Sequence, residues 1–179
     1  GGSAANCGGS AWTVGGAFAN RFVGMYLSVG TTTASTVQGN VIKNFNWTST
    51  SGATTVPGVW GGIYVVAGNV NIGNVTANTI GDPTTTGSIL VTTSTTGGIS
   101  AGIMSAGTTV NISNNIIAGI NVAGNAATIS ASFNGIWTTG GTTTTINNNT
   151  IGSATIANSI NASYASTGTT AQVVQGIVN

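Results

Sequence analysis

Three side chains carry all the charge of this 179-residue chain: Arg21, Lys43 and Asp82. There is no His and a single Cys, Cys7. A nucleophilic triad needs a base beside its nucleophile, and a metal centre needs several His, Cys, Asp or Glu side chains on one point. Neither set can be assembled from these residues, and one carboxylate cannot build a calcium cage. Asp82 stands before Pro83 and reads as a turn residue. Gly61-Gly62 and Gly140-Gly141 lack the Lys and following helix of a phosphate loop. The expectation is a chain that is not an enzyme and uses no cofactor or metal. With a formal charge of +1 it has no field for nucleic acid or acidic lipid. Cys7 can form no intrachain disulfide; it reads as a tolerated thiol near a terminus or as an intermolecular bridge.

What remains is chemistry of the amide. Asn recurs inside one pattern, aliphatic-x-x-Asn-x-aliphatic: Val37 to Ile42 around Asn40, Val75 to Ile80 around Asn78, Ile112 to Ile117 around Asn115, Ile146 to Ile151 around Asn149. The four Asn are 38, 37 and 34 residues apart, a period that marks a repeat architecture. A second motif, Gly before a large apolar residue, runs in phase with it at Gly24, Gly62, Gly102, Gly135 and Gly176. These glycines start turns of 38, 40, 33 and 41 residues. Stacked turns would bring the Asn into a ladder, each amide giving and receiving a hydrogen bond.

The elements that position such a ladder are strands. Charged residues are 2% and hydrophobic ones 40% of the chain, with Thr, Val and Ile abundant and few helix formers. The class is all-β, with about three strands per turn; Ser88–Thr92, Ile129–Phe133 and Ile156–Ile160 are examples. Trp47 to Pro57, residues 82–87, Ala123 to Ala126, Tyr164 to Thr170 and the Thr runs at 93–96 and 142–145 read as loops. Those Thr runs recur at no one station, which argues against a regular hydroxyl face. Residues 1–23 form an N-terminal part-turn or partial cap with Trp12, Phe18 and Phe22; residues 24–179 form the repeats. No apolar run reaches the ~18 residues of a membrane span, so no membrane insertion is expected.

The in-phase Asn and Gly motifs from Gly24 to Asn179 resemble the repeat of right-handed parallel β-helix proteins, the pectin-lyase-like superfamily. The resemblance implies a parallel β-helix, right-handed, of about four to five long turns. Many members of that superfamily cleave polysaccharides with paired carboxylates, or with a basic residue and acidic calcium ligands. This chain has no matching positions, so no catalytic residue carries over. The Thr/Ser/Asn-rich style also resembles β-helical surface and secreted proteins of bacteria, which implies an extracellular or cell-surface site. Identical turns leave sticky ends. The expected role is therefore an extracellular structural subunit stacking head to tail with itself into a filament, its unfinished last turn continued by the first part-turn of the next copy. The alternatives are a segment of a longer adhesin, or a binding surface for glycans or a host, with Trp47, Trp60 and Trp137 exposed. The Asn-x-Ser/Thr triplets at Asn46, Asn74, Asn111, Asn148 and Asn161 read as incidental in so Asn- and Thr-rich a chain.

Overall fold

A computed structural model of the chain describes residues 9–93, 98–124, 131–163 and 172–179. Cys7, the loop expected at 164–170 and parts of other expected loops lie outside the described residues. All regular elements among the described residues are strands. Following β1 (Trp12–Val14), the chain runs through β2 (Phe22–Ser28), β3 (Ser35–Val37), β4 (Val41–Ile42) and β5 (Phe45–Ser49). The same order then recurs as β6 (Trp60–Ala67), β7 (Asn69–Ile72), β8 (Thr79–Gly81) and β9 (Ile89–Thr93). It recurs again as β10 (Gly98–Ser105), β11 (Thr109–Ser113), β12 (Ile116–Ala118) and β13 (Ile120–Gly124). Then come β14 (Ala131–Thr138), β15 (Thr143–Asn147), β16 (Thr150–Ile151) and β17 (Ile160–Ser163), and finally β18 (Val174–Val178). Among the described residues there is no helix long and apolar enough to cross a membrane.

Equivalent strands pair in parallel and in register into four sheets, an all-β arrangement consistent with a parallel solenoid. Sheet A is β1-β5-β9-β13-β17, sheet B β2-β6-β10-β14-β18, sheet C β3-β7-β11-β15 and sheet D β4-β8-β12-β16. Each passage of the chain therefore contributes four strands, not the three expected. The fourth is sheet D, whose members are too short to show an alternation in sequence.

Register converts the repeat into a core. Val37, Ile72, Ile112 and Ile146 share one station in sheet C, and Ile42, Ile80, Ile117 and Ile151 one in sheet D. Sheet A stacks Phe45, Ile89, Ile120 and Ile160. Parallel strands of successive passages place like side chains on like, so aliphatic columns fill the interior without changing partners. The connections between sheets D and A differ in length: Lys43-Asn44, residues 82–88, Gly119 alone, and residues 152–159. The last of these overturns the strand expected at Ile156–Ile160. Residues 152–159 are bends and a turn, with Asn158 in the left-handed region at φ 55°, and only Ile160 enters β17. Four expected loops are shorter than read: β5 takes Trp47 to Ser49, β9 takes Thr93, β13 takes Ala123 and Gly124, and β15 takes Thr143 to Thr145.

Candidate functional site

The described charged side chains are spent on the fold. Arg21 donates to the carbonyls of Gly58 (Nε, 2.7 Å) and Thr55 (3.3 Å). That clamps the loop whose Val56 covers Tyr64, Ala101 and Met104 on the outer side of sheet B. Lys43 and Asp82 pair at 3.0 Å across two successive passages. Partial burial works to raise the Asp82 carboxyl. The Thr84 hydroxyl and amide hydrogen bonds and the Lys43 ammonium outweigh it, and the group sits below the usual carboxylate range. Burial, with Tyr26 beside it, raises the Tyr64 phenol. No group of three or more His, Cys, Asp or Glu converges on a point among the described residues.

The four Asn stand at the bend between sheets C and D. The residue entering that bend is left-handed, as at Gly39 (φ 65°), Asn114 (φ 62°) and Asn148 (φ 51°), a conformation Gly and Asn adopt most readily. Each Asn Nδ2 donates to the Oδ1 of the next: Asn40 to Asn78 at 2.9 Å, Asn78 to Asn115 at 2.8 Å, Asn115 to Asn149 at 3.0 Å. The same Oδ1 atoms accept the backbone N–H of the preceding Asn at 2.9–3.3 Å. The amides thus run in one direction, carbonyl toward β1 and amino group toward β18. Asn149 closes the row, and its own backbone N–H faces no acceptor among the described residues.

The flank of this motif departs from expectation in one passage. Val75 does not share the station of Val37; Ile72 does. Three extra residues intervene, and Val75 is 82% exposed at their tip. The Gln38 carbonyl holds that tip through the amides of Val75 and Thr76.

The five motif glycines lie within the strands of sheet B rather than at a bend. A Cβ on Gly62 would point at Ile80 of sheet D, so Gly62 and Trp60 face the interior. Ile63 and Val65 face it too, whereas Tyr64 belongs to the outer cluster. Strand side chains alternate, so the alternation must reverse between Gly62 and Ile63. Two consecutive residues face inward there, and the first has room only for hydrogen. Gly24-Met25, Gly102-Ile103 and Gly135-Ile136 repeat the arrangement against Ile42, Ile117 and Ile151.

The two poles differ. At the β1 pole an aromatic group closes the interior: Phe22 lies 4.7 Å from Phe45, 5.3 Å from Trp47 and 5.8 Å from Trp60. Half-exposed Trp12 sits edge-on over Phe22 at 5.7 Å. Phe18 projects into solvent, 72% exposed. Trp47 and Trp60 are buried in this group, which removes two of the three aromatics expected on a glycan-binding face. At the β18 pole the interior is open among the described residues. A cavity of about 650 Å3 is lined by Phe133, Ile151, Ile156, Ile160 and Val174. Beside it Val174 and Ile177 are 55% and 53% exposed on the last strand. The sequence names Phe133, Ile151, Ile156, Ile160 and Ile177 as repeat residues but assigns neither them nor Val174 to a pole. Their signal, an apolar-x-Gly-apolar strand like its neighbours, was present but does not say which strand is outermost. Compared with known protein families, curated proteins and solved structures, the chain matches none of them, and the pectin-lyase-like superfamily is named by no comparison.

Proposed function

We propose that the chain is a non-enzymatic structural subunit of an extracellular or cell-surface fibre. In this reading it is a right-handed parallel β-helix of four to five turns, of the pectin-lyase-like kind, that stacks end to end on copies of itself. The observation that carries the reading is the stepped shape of the poles. Sheets A and B have five strands, C and D four. The extra strand of A is β1 at one pole, and the extra strand of B is β18 at the other. A second copy placed with its β1 on β17 also brings its β2 onto β18. A single axial shift of five layers satisfies both pairings, while sheets C and D, with four strands each, are left one strand short at every junction.

Such a contact is heterologous and does not close, which generates a fibre. Two strand pairings supply several backbone hydrogen bonds at ~1 kcal/mol each. The open cavity and the exposed Val174 and Ile177 add apolar burial against the aromatic pole of the next copy. The test is sedimentation and electron microscopy of the purified chain across concentration. Fibres with an axial repeat of about 24 Å, five layers at roughly 4.8 Å, are expected. Discrete particles at every concentration overturn the stacking and leave the open pole to further coils of a longer surface protein.

A further inference from the structure

We infer that Gly176 is the residue that selects the strand docked on β18, and that this strand is β2 of a second copy in one register, Gly24 over Gly176. The inference rests on the stacking reading above and goes beyond it in naming the register and the residue that enforces it.

Along sheet B, the position a Cβ would take on each motif glycine lies against the carbonyl oxygen of the next one. The distances are 2.7 Å from Gly24 to Gly62, 2.6 Å from Gly62 to Gly102, 2.7 Å from Gly102 to Gly135 and 2.6 Å from Gly135 to Gly176. A methyl group does not fit at those distances, so four of the five positions require glycine for reasons internal to the subunit. Gly176 does not. The nearest atom to its Cβ position is Ile151 Cδ1 at 3.9 Å, ordinary van der Waals contact. Nor is its φ in the left-handed region. Glycine in a strand weakens it through backbone entropy and lost packing. Nothing among the described residues requires that loss at 176. A further strand laid on β18 in the repeat register does: its carbonyl would press on position 176 as those of Gly62, Gly102, Gly135 and Gly176 press on their neighbours.

Strand β2 fits that place station by station. The pairings run Phe22–Trp60–Ser100–Phe133–Val174 and Met25–Ile63–Ile103–Ile136–Ile177. Phe22 of the next copy therefore follows Val174, above the open cavity, and Met25 follows exposed Ile177. The inward-facing pair Gly-apolar is preserved across the junction, so the reversal of alternation in sheet B continues from one copy to the next.

The test uses the full chain carrying Gly176→Ala, with Gly140→Ala as control because nothing lies within 4 Å of a Cβ there. Urea midpoints of the dilute subunit and sedimentation of the concentrated one are measured together. Gly176→Ala is expected to keep or slightly raise the wild-type midpoint and to lower the association constant at least about tenfold, the range of an overpacked contact; Gly140→Ala is expected to leave association unchanged. A Gly176→Ala chain that assembles like wild type overturns the inference and leaves the stacking reading standing. One with a lowered midpoint overturns it as well, by giving position 176 an internal role. A wild-type chain that never assembles removes both. The register has its own test in a Cys7→Ser background: oxidation should join Gln175→Cys to Val23→Cys, which share a station, and not to Thr36→Cys on sheet C. The reverse preference overturns the assignment.

Discussion

Removing the Asn78 side chain tests whether the amide row holds the fold. Asn78 is fully buried. Its Oδ1 accepts the backbone N–H of Asn40 at 3.0 Å and the Asn40 amide at 2.9 Å. Its Nδ2 donates to the Val37 carbonyl at 2.9 Å and to Asn115 Oδ1 at 2.8 Å. The partners do not suffer equally in Asn78→Ala. The Val37 carbonyl keeps the Gly73 N–H, Asn115 Oδ1 keeps the Asn78 N–H, and the Asn40 amide keeps the Gln38 carbonyl. Only the Asn40 N–H loses its assigned acceptor, at about 1–3 kcal/mol for an orphaned donor. With the other lost bonds and a small void, the total is about 2–4 kcal/mol. At an m-value of about 2 kcal/mol/M this is a fall of ~1–2 M in the urea midpoint, read from the fluorescence of buried Trp47 and Trp60. Asn149→Ala is the internal comparison. It strips the acceptor from the Asn115 N–H, but at the open pole, where water can reach it, so its cost is about 1 kcal/mol. An Asn78→Ala chain within ~0.5 kcal/mol of wild type refutes the reasoning, because no repacking can offset a buried N–H left bare.

Gly62→Ala puts a methyl 2.6 Å from the Gly102 carbonyl and 2.9 Å from an Ile80 methyl; it is expected to cost about 1–3 kcal/mol or more in the same urea assay. Ile72→Ala empties a fully buried station and is expected to cost about 2–5 kcal/mol, whereas Val75→Ala changes the midpoint by less than ~0.5 kcal/mol; equal effects would contradict the assignment of stations. Asp82 is the chain's sole Asp or Glu, and its folded-state pKa is lowered. Its contribution to stability is complete above the unfolded carboxylate value of about 3.9 and is lost as pH falls through the folded value. Thermal melts from pH 5 to 2 should show that decline in wild type and a flatter profile in Asp82→Asn. The raised Tyr64 phenol has the opposite linkage: stability is intact below the unfolded tyrosine value of about 10 and falls above it, and Tyr64→Phe should blunt the alkaline loss.

How much of this was legible follows from where each signal acts. Asn40, Asn78, Asn115 and Asn149 each bond the same residue type one passage away, so their spacing carries the register. Val75 misleads because it stands three residues before Asn78 as Val37 stands before Asn40, while the true station, Ile72, lies beyond an insertion that only pairing reveals. Sheet D escaped notice because Val41-Ile42 and Thr150-Ile151 are too short to alternate. The Gly-apolar motif was visible, but its reason lies in another sheet: Ile42, Ile80, Ile117 and Ile151 crowd the glycines from across the interior. Phe45 and Trp47 alternate with Asn46 and Thr48 in β5 and lie inside, although the Thr- and Ser-rich run after Trp47 makes it read as the start of a loop. The poles were the least legible, since being outermost is a property of a strand's place in its sheet and not of its residues.

The scarcity of charge and the shape of the poles bear on one another. Identical subunits stacked at a five-layer repeat bring like charges together at every junction, and the repulsion grows with the net charge of each copy. Here the net charge is +1, and the chain's one carboxylate side chain is paired with Lys43. Copies can therefore approach without a Coulomb barrier. The same neutrality removes the usual protection of exposed strand edges, which is charge. Selection among edges must then come from shape. In the proposed stacking, the opposite steps of sheets A and B would admit one orientation of the incoming copy, and the methyl-free position at Gly176 one register. A charged chain could discriminate by repulsion; this one has only the fit of strand on strand, so a single methyl group at 176 should suffice to close the pole.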